Sequence, residues 1–275
     1  MTSNRPLTRF SYLPKWLAWL DFLGLLERDP FGNSLLIKRI MISAIGWFTY
    51  WRFTVVNKTT IEGIEYLEDL PENGVLFLSN HQTYFADVIS FYHIFSSVKW
   101  GFKSTIVPPL YLLAPRARSY YVAASETMKA GIVPKLFGLG GALTVERSWR
   151  AEGQNVKRER DTSAGNKVSE ALDHGWVVSF PQGTTSPYAP IRKGTGHLVL
   201  ENQPIVVPVV INGFRRAFDK KGLRFKKRNT TLSIRFKAPI KFDDSMSVEE
   251  IVEWVRKEIE QDVPEKMVWM KKEGE

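Results

Sequence analysis

Two apolar runs that each break off into a polar loop constrain the fold of this chain more than any other feature. Val75-Leu76-Phe77-Leu78 gives way to Ser79-Asn80-His81-Gln82-Thr83-Tyr84-Phe85-Ala86-Asp87. Far downstream, Trp176-Val177-Val178-Ser179-Phe180 gives way to Pro181-Gln182-Gly183-Thr184-Thr185-Ser186. Runs this short and apolar suit buried strands, and α/β proteins place their chemistry in loops at strand ends. His81 and Asp87 have five residues between them, which sets them about 240° apart on an ideal helix. They can meet only if His81 lies on the loop after the strand and Asp87 on the helix that follows. Paired in that way, the carboxylate fixes the tautomer of the imidazole and stabilises its protonated form. The imidazole can then take a proton from a hydroxyl. Such chemistry suits acyl transfer to an alcohol.

Strand-like and helix-like segments alternate along the 275 residues, which predicts one α/β unit. Strands are expected at 53–63, 75–78, 99–103, 119–124, 142–146, 176–180, 205–211 and 231–236. Helices are expected at 85–95, 128–136 and 196–201, and from the polar stretch 150–166 onward to 172. A loop or short helix fills 106–118. Ser247, with Glu250 three residues on, reads as the capping box of a last helix reaching 262.

Cysteine is absent, which removes disulfides, thiol nucleophiles and cysteine-based zinc sites. Four histidines without a His-Glu-x-x-His spacing argue against a zinc hydrolase. His93, His174 and His197 lack sequence partners and read as structural. The net charge of +9 calls for an anionic partner or a well-solvated surface. Its densest run is Lys220-Lys221-Gly222-Leu223-Arg224-Phe225-Lys226-Lys227-Arg228. Three readings stand for it: a solvated hairpin, a contact with an anionic membrane, or a dock for an acidic acyl-carrier protein. No helix-turn-helix, zinc-finger or RNP pattern accompanies the charge, so nucleic acid is not expected as a partner.

The amino-terminal segment carries two apolar stretches. Trp16, Leu17, Leu20, Leu23 and Leu26 recur near helical spacing after Pro14. A second stretch runs from 35 to 51, and its charge-free part, 40–51, would span about 18 Å as a helix against a bilayer core of about 30 Å. An in-plane amphipathic pair fits better than a span, with Trp16, Trp19, Trp47, Tyr50 and Trp51 suited to the headgroup level. The alternative is a helical cover over the core of a soluble protein. The division expected is 1–52 for these membrane-associating helices and 53–275 for the catalytic domain.

At its polar loops the chain resembles the glycerolipid acyltransferases of the lysophosphatidic-acid acyltransferase type. Four blocks of that family recur in order over roughly residues 55–215: Asn80 to Asp87, Gly140 to Arg147, Phe180 to Ser186, and Ile205 to Ile211 around Pro208. Three departures stand out. Five residues rather than four separate His81 from Asp87, Gln182 replaces a glutamate, and Thr185 replaces an arginine.

The resemblance implies a single acyltransferase domain of α/β type, with a mixed central sheet flanked by helices and an amino-terminal helical pair on the membrane. It implies His81 as general base and Asp87 as its orienting partner. Arg147 is then a bidentate contact for an anionic acceptor, with Gln182, Gly183 and Thr184 lining the same pocket. Arg192 and Lys193 follow closely enough to replace the missing arginine. No metal and no cofactor are implied; acyl-CoA or acyl-carrier protein serves as donor substrate. The acceptor implied is 1-acylglycerol-3-phosphate, and the location is the cytoplasmic face of the cell membrane, monotopic or peripheral. Two alternatives stay open. One acylates another lipid hydroxyl, such as that of an N-acyl amino-acid lipid; the other is a non-catalytic lipid carrier, against which the retained His81 and Asp87 argue. Nothing in the sequence bears on oligomeric state.

Overall fold

Strand β2 (Val75–Ser79) is buried along its whole length. The computed structural model, which describes residues 27–129, 137–145, 150–151, 154–155 and 162–262, shows why. β7 (Trp176–Ser179) pairs with it in parallel on one edge, Val75 opposite Trp176. β8 (Ile205–Asn212) pairs in parallel on the other, Val75 opposite Ile205. Helices cover both faces, so no side of β2 meets water and the run is continuously apolar rather than alternating.

The sheet grows outward from this centre to seven strands in the order β1-β9-β8-β2-β7-β3-β4. The flanking members are β1 (Lys58–Glu62), β3 (Ser119–Ala124), β4 (Ala142–Val145) and β9 (Thr231–Phe236). Only the β8–β9 pairing is antiparallel, so the sheet is mixed. A separate two-stranded ribbon joins β5 (Arg150–Ala151) and β6 (Gln154–Asn155).

Two apolar layers lie on opposite faces. Val75 and Phe77 of β2 point into one, with α1 (Leu35–Thr54) and α3 (Ala86–Lys99) over them. Leu76 and Leu78 point into the other, under α5 (Thr162–His174), α6 (Lys193–Asn202) and α8 (Val248–Glu258). The short helices α2 (Glu65–Glu68), α4 (Ser125–Lys129) and α7 (Phe214–Ala217) connect them. Ser247 caps α8 in a complete capping box with Glu250, as its spacing predicts.

Several expectations shift. The strand expected over 53–63 begins only at Lys58, because Phe53 and Thr54 close α1. Phe53 is buried on the same helical face as Thr49 and Gly46, so tertiary packing overrides a β-branched stretch. No strand forms at 99–103: α3 runs on to Lys99 and turns at Gly101. The helix expected at 128–136 is described only as far as Lys129. The basic run at 220–228 is a turn-rich loop rather than a hairpin of two strands.

The first apolar amino-terminal stretch, with Trp16 and Trp19, lies outside the described residues. The second is α1. Its inner face (Leu35, Ile42, Gly46, Thr49, Phe53) is buried, and the helix ends at Thr54, two residues past the expected boundary at 52. Its outer face shows Ile40, Trp47, Phe48, Trp51 and Val55 to solvent. Among the described residues no helix is long and apolar enough to cross a membrane.

Lys38 sits on the inner face of α1, 1% exposed. Its ammonium nitrogen lies 3.6 Å from the Tyr120 ring centroid and has no hydrogen-bond partner among the described residues. Burial lowers its pKa from 10.5 to about 7, with Asp29 opposing the shift. Between those two values the unfolded chain holds a proton that the folded chain has released, so stability rises with pH through that window. Lys38→Met should therefore gain stability at pH 7, on the order of a few kcal/mol, with the gain fading toward pH 10. Urea unfolding of both proteins across this range checks it. A variant less stable than the parent at pH 7 would show that the contact with Tyr120 outweighs burial.

Candidate active site

Because β7, β2 and β8 are adjacent and parallel, their carboxyl ends open onto one edge of the sheet. The loops after β2 and β7 and the turn after β8 are thereby gathered there, the usual place for a site in such sheets. Asn80 fastens the first loop. Its amide donates to Ile211 O at 2.9 Å and accepts from Ile211 N at 2.8 Å, continuing the β2–β8 ladder by one side chain.

His81 lies on that loop and Asp87 in the first turn of α3. His81 Nδ1 donates to Asp87 Oδ2 at 2.9 Å. Asp87 is fully buried, and its carboxylate also accepts from Gln82 N at 2.6 Å, Thr83 N at 3.0 Å and Thr83 Oγ1 at 2.7 Å. Four donors thus converge on one carboxylate in the first turn of α3. An acceptor-only carboxylate makes Nδ1 the protonated nitrogen, which leaves the lone pair on Nε2. The extra residue between the pair is absorbed by the loop, which folds back over Asp87 through the two backbone contacts.

Phe180, the last residue before the second loop, stacks on the imidazole with centroids 3.9 Å apart and planes 20° apart. The two sequence blocks thus meet face to face, and the stacking holds the plane of the ring. Further support comes from α1. Arg52 donates to Leu223 O at 2.8 Å, which holds the basic loop in place. That loop supplies the carbonyls of Lys220 and Lys221 to Tyr84 N and Phe85 N, both at 3.0 Å, at the start of α3.

The other predicted residues divide. Gly183 makes the second turn, with φ of 64° and its N–H on Phe180 O at 2.9 Å. Thr184 Oγ1 accepts from Ser186 N at 3.2 Å, a local turn contact. Gln182, expected at the acceptor, is instead buried beneath the loop. Its amide donates to Ala189 O at 2.8 Å and Gln261 Oε1 at 3.0 Å, so it braces the loop against the chain after α8. Lys193 pairs with Glu249 of α8 at 2.6 Å, which commits its charge there. Arg192 precedes α6, and its N–H donates to Pro181 O at 2.9 Å. Arg147 lies outside the described residues.

His93 is structural, as expected. It is fully buried on α3, with Thr49 Oγ1 3.2 Å from Nε2 and the Tyr111 hydroxyl 2.9 Å from Nδ1. Burial pulls its pKa down to about 3, which keeps it neutral. Among the described residues no cluster of His, Asp and Glu could hold a metal ion. Sequence reasoning missed Thr83, Phe180 and Arg215 as members of the site. Arg215 lies three residues past the end of β8, as His81 lies two past the end of β2, and the strand-end rule applied to the fourth block would have found it.

A mixed α/β sheet with a His–carboxylate pair at its carboxyl edge, the carboxylate fully buried, defines the class. Residues 58–212, more than half of the chain, match the family model described as Acyltransferase, and the chain belongs to that family. The 1-acyl-sn-glycerol-3-phosphate acyltransferase of Limnanthes alba is 27% identical over 139 residues, 49% of this chain and 46% of its own length. That of Cocos nucifera is 28% identical over 102 residues, 34% of this chain and 32% of its own. The chain thus matches less than half the length of either plant relative. The crystal structure of the 1-acyl-sn-glycerophosphate acyltransferase from Thermotoga maritima shares the fold, with a TM-score of 0.52 at 18% identity, over 89% of this chain and 86% of that one.

Proposed function

We propose that the protein transfers a fatty acyl group from a thioester on coenzyme A or acyl-carrier protein to the free hydroxyl of 1-acylglycerol-3-phosphate, giving phosphatidic acid. The observation that carries this reading is the His81–Asp87 pair at the sheet edge, with the ring held by Phe180 and no hydrogen-bond partner on Nε2 among the described residues. His81 Nε2 takes the hydroxyl proton as the oxygen attacks the thioester carbonyl carbon. The resulting imidazolium is stabilised by Asp87. Collapse of the tetrahedral intermediate breaks the carbon–sulfur bond, and the imidazolium returns the proton to the departing thiolate. No covalent enzyme intermediate is needed. Purified protein given a labelled acyl donor, on each carrier in turn, and a panel of lysophospholipids and hydroxylipids tests this by lipid mass spectrometry. Labelled phosphatidic acid is expected. Label confined to an uncharged or amino-acid lipid would overturn the acceptor, and tight acyl binding without turnover would overturn catalysis.

The enzyme would act while lying on a membrane at the cytoplasmic face. Support comes from the outer face of α1, where Phe48 is 74% and Val55 75% exposed beside Trp47 and Trp51. Trp51 also touches Phe225 at 5.5 Å between ring centroids, which joins this apolar face to the basic loop. Replacing Trp47, Phe48 and Trp51 with serine should lower partitioning onto anionic vesicles on the order of tenfold to hundredfold. Thermal stability should change little, because these side chains already meet solvent. Flotation of the triple variant at the level of the parent would move the anchor elsewhere.

A further inference from the structure

β8 ends at Asn212, and Gly213 then turns the chain with φ of 88°. The turn passes so close to β9 that a Cβ on Gly213 would lie 2.1 Å from the Thr231 carbonyl oxygen. This tight passage carries Arg215, in α7, across to the two loops that meet at His81. Its backbone N–H donates to Gln82 Oε1 at 3.1 Å, and Gln82 in turn donates to Ile211 O at 3.0 Å. Its guanidinium Nη2 donates to the Thr185 carbonyl. Arg215 is therefore tied to the residue after the general base and to the loop that follows Phe180.

Those contacts use the main chain and one of five guanidinium N–H groups. Among the described residues the remaining N–H groups have no hydrogen-bond partner and no carboxylate pairs with Arg215. The cation nearest in the hydrogen-bond network adds to the positive charge rather than offsetting it: Lys226 Nζ donates to the Arg215 carbonyl at 3.3 Å. A half-buried, anchored guanidinium that meets no counter-charge among the described residues, on a turn tied to the residue after the general base, suits an anionic oxygen of the reacting molecule. Thr185 stands where the family's block usually has arginine, and the charge reaches that place from the end of a different strand.

We propose that Arg215 binds the anionic headgroup of the acceptor lipid and sets the preference for a phosphate-bearing acceptor. This rests on the reading that the site acylates a lipid hydroxyl. A guanidinium that only tied two loops together would matter equally for every acceptor, whereas a headgroup ligand matters only for charged ones.

The test compares the parent with Arg215→Gln and Arg215→Lys, using 1-acylglycerol-3-phosphate and uncharged 1-acylglycerol as acceptors. Arg215→Gln should lower kcat/KM for the phosphate acceptor roughly tenfold to hundredfold, chiefly through KM. The loss for the uncharged acceptor and the change in the KM of the acyl donor should be far smaller, reflecting only the lost contact with Thr185. Arg215→Lys should fall between, since an ammonium keeps the charge and loses the fork. Equal losses for both acceptors, or no loss for either, would overturn the proposal. Binding of a phosphate lysolipid that lacks the acceptor hydroxyl, measured by calorimetry in detergent without any acyl donor, separates this from failure of the catalytic reading. If the parent acylates nothing, a tenfold or greater loss of affinity in Arg215→Gln supports the headgroup role, and unchanged affinity sinks it.

Discussion

His81→Ala should lower kcat by about 10²–10⁴-fold, the usual contribution of a general base, while the protein stays folded. The fold should tolerate the change because His81, although only 13% exposed, sits on a loop at the sheet edge and belongs to no strand or helix. Asp87 would lose one donor and retain Gln82 N, Thr83 N and Thr83 Oγ1, so the loop keeps its shape. No second histidine stands in, because His93 is buried against Tyr111 on the far side of α3 from solvent. Acyl transfer at saturating substrate, set beside a thermal melt of the same sample, reads the two effects separately. Turnover near that of the parent would refute the base assignment, and a collapsed melt would show that the ring is needed for packing on Phe180.

The features legible in the sequence are those that burial alone dictates. β2, β7 and β8 carry unbroken apolar runs because each has strands on both edges and helices on both faces, and no other local structure suits runs so short. The His81–Asp87 pair was legible for a similar reason: spacing ruled out a shared helix and left only a loop-to-helix arrangement. Segments whose fate depends on distant partners were not legible. Phe53 and Thr54 read as strand, yet Phe53 completes a helical face set by contacts with α3 and the core beneath it. Gln182 reads as a site residue by position, but the group that claims its amide, Gln261, lies 79 residues further on. Arg215 reaches Thr185 across 30 residues of chain, and only the parallel order of β7, β2 and β8 brings them together. Lys38 shows the same limit, since the fold turns this lysine inward onto Tyr120, which lies 82 residues further on.

Asp87→Asn and Asp87→Ala should separate the two jobs of this carboxylate. Three donors converge on Oδ2, from His81, Gln82 and Thr83, while Oδ1 meets the Thr83 hydroxyl. An asparagine can place its oxygen where Oδ2 was and turn its NH2 toward Thr83 Oγ1, because a hydroxyl can accept as well as donate. The loop and the histidine tautomer then survive, and only the negative charge is lost. Asp87→Asn should accordingly melt close to the parent. Its kcat should fall about 10²–10³-fold, the scale of removing a pre-aimed electrostatic contact from a site. The loss should be smaller than for His81→Ala, since the imidazole remains basic and correctly held. Alanine removes all four acceptor contacts from a fully buried position. Each buried donor left without a partner costs about 1–3 kcal/mol, less where water can enter, so a total destabilisation of several kcal/mol is expected. Chemical unfolding of both variants beside their turnover decides the matter. An Asp87→Asn protein as active as the parent would remove the charge from the mechanism, and an Asp87→Ala protein as stable as the parent would show that the loop holds its shape without the carboxylate.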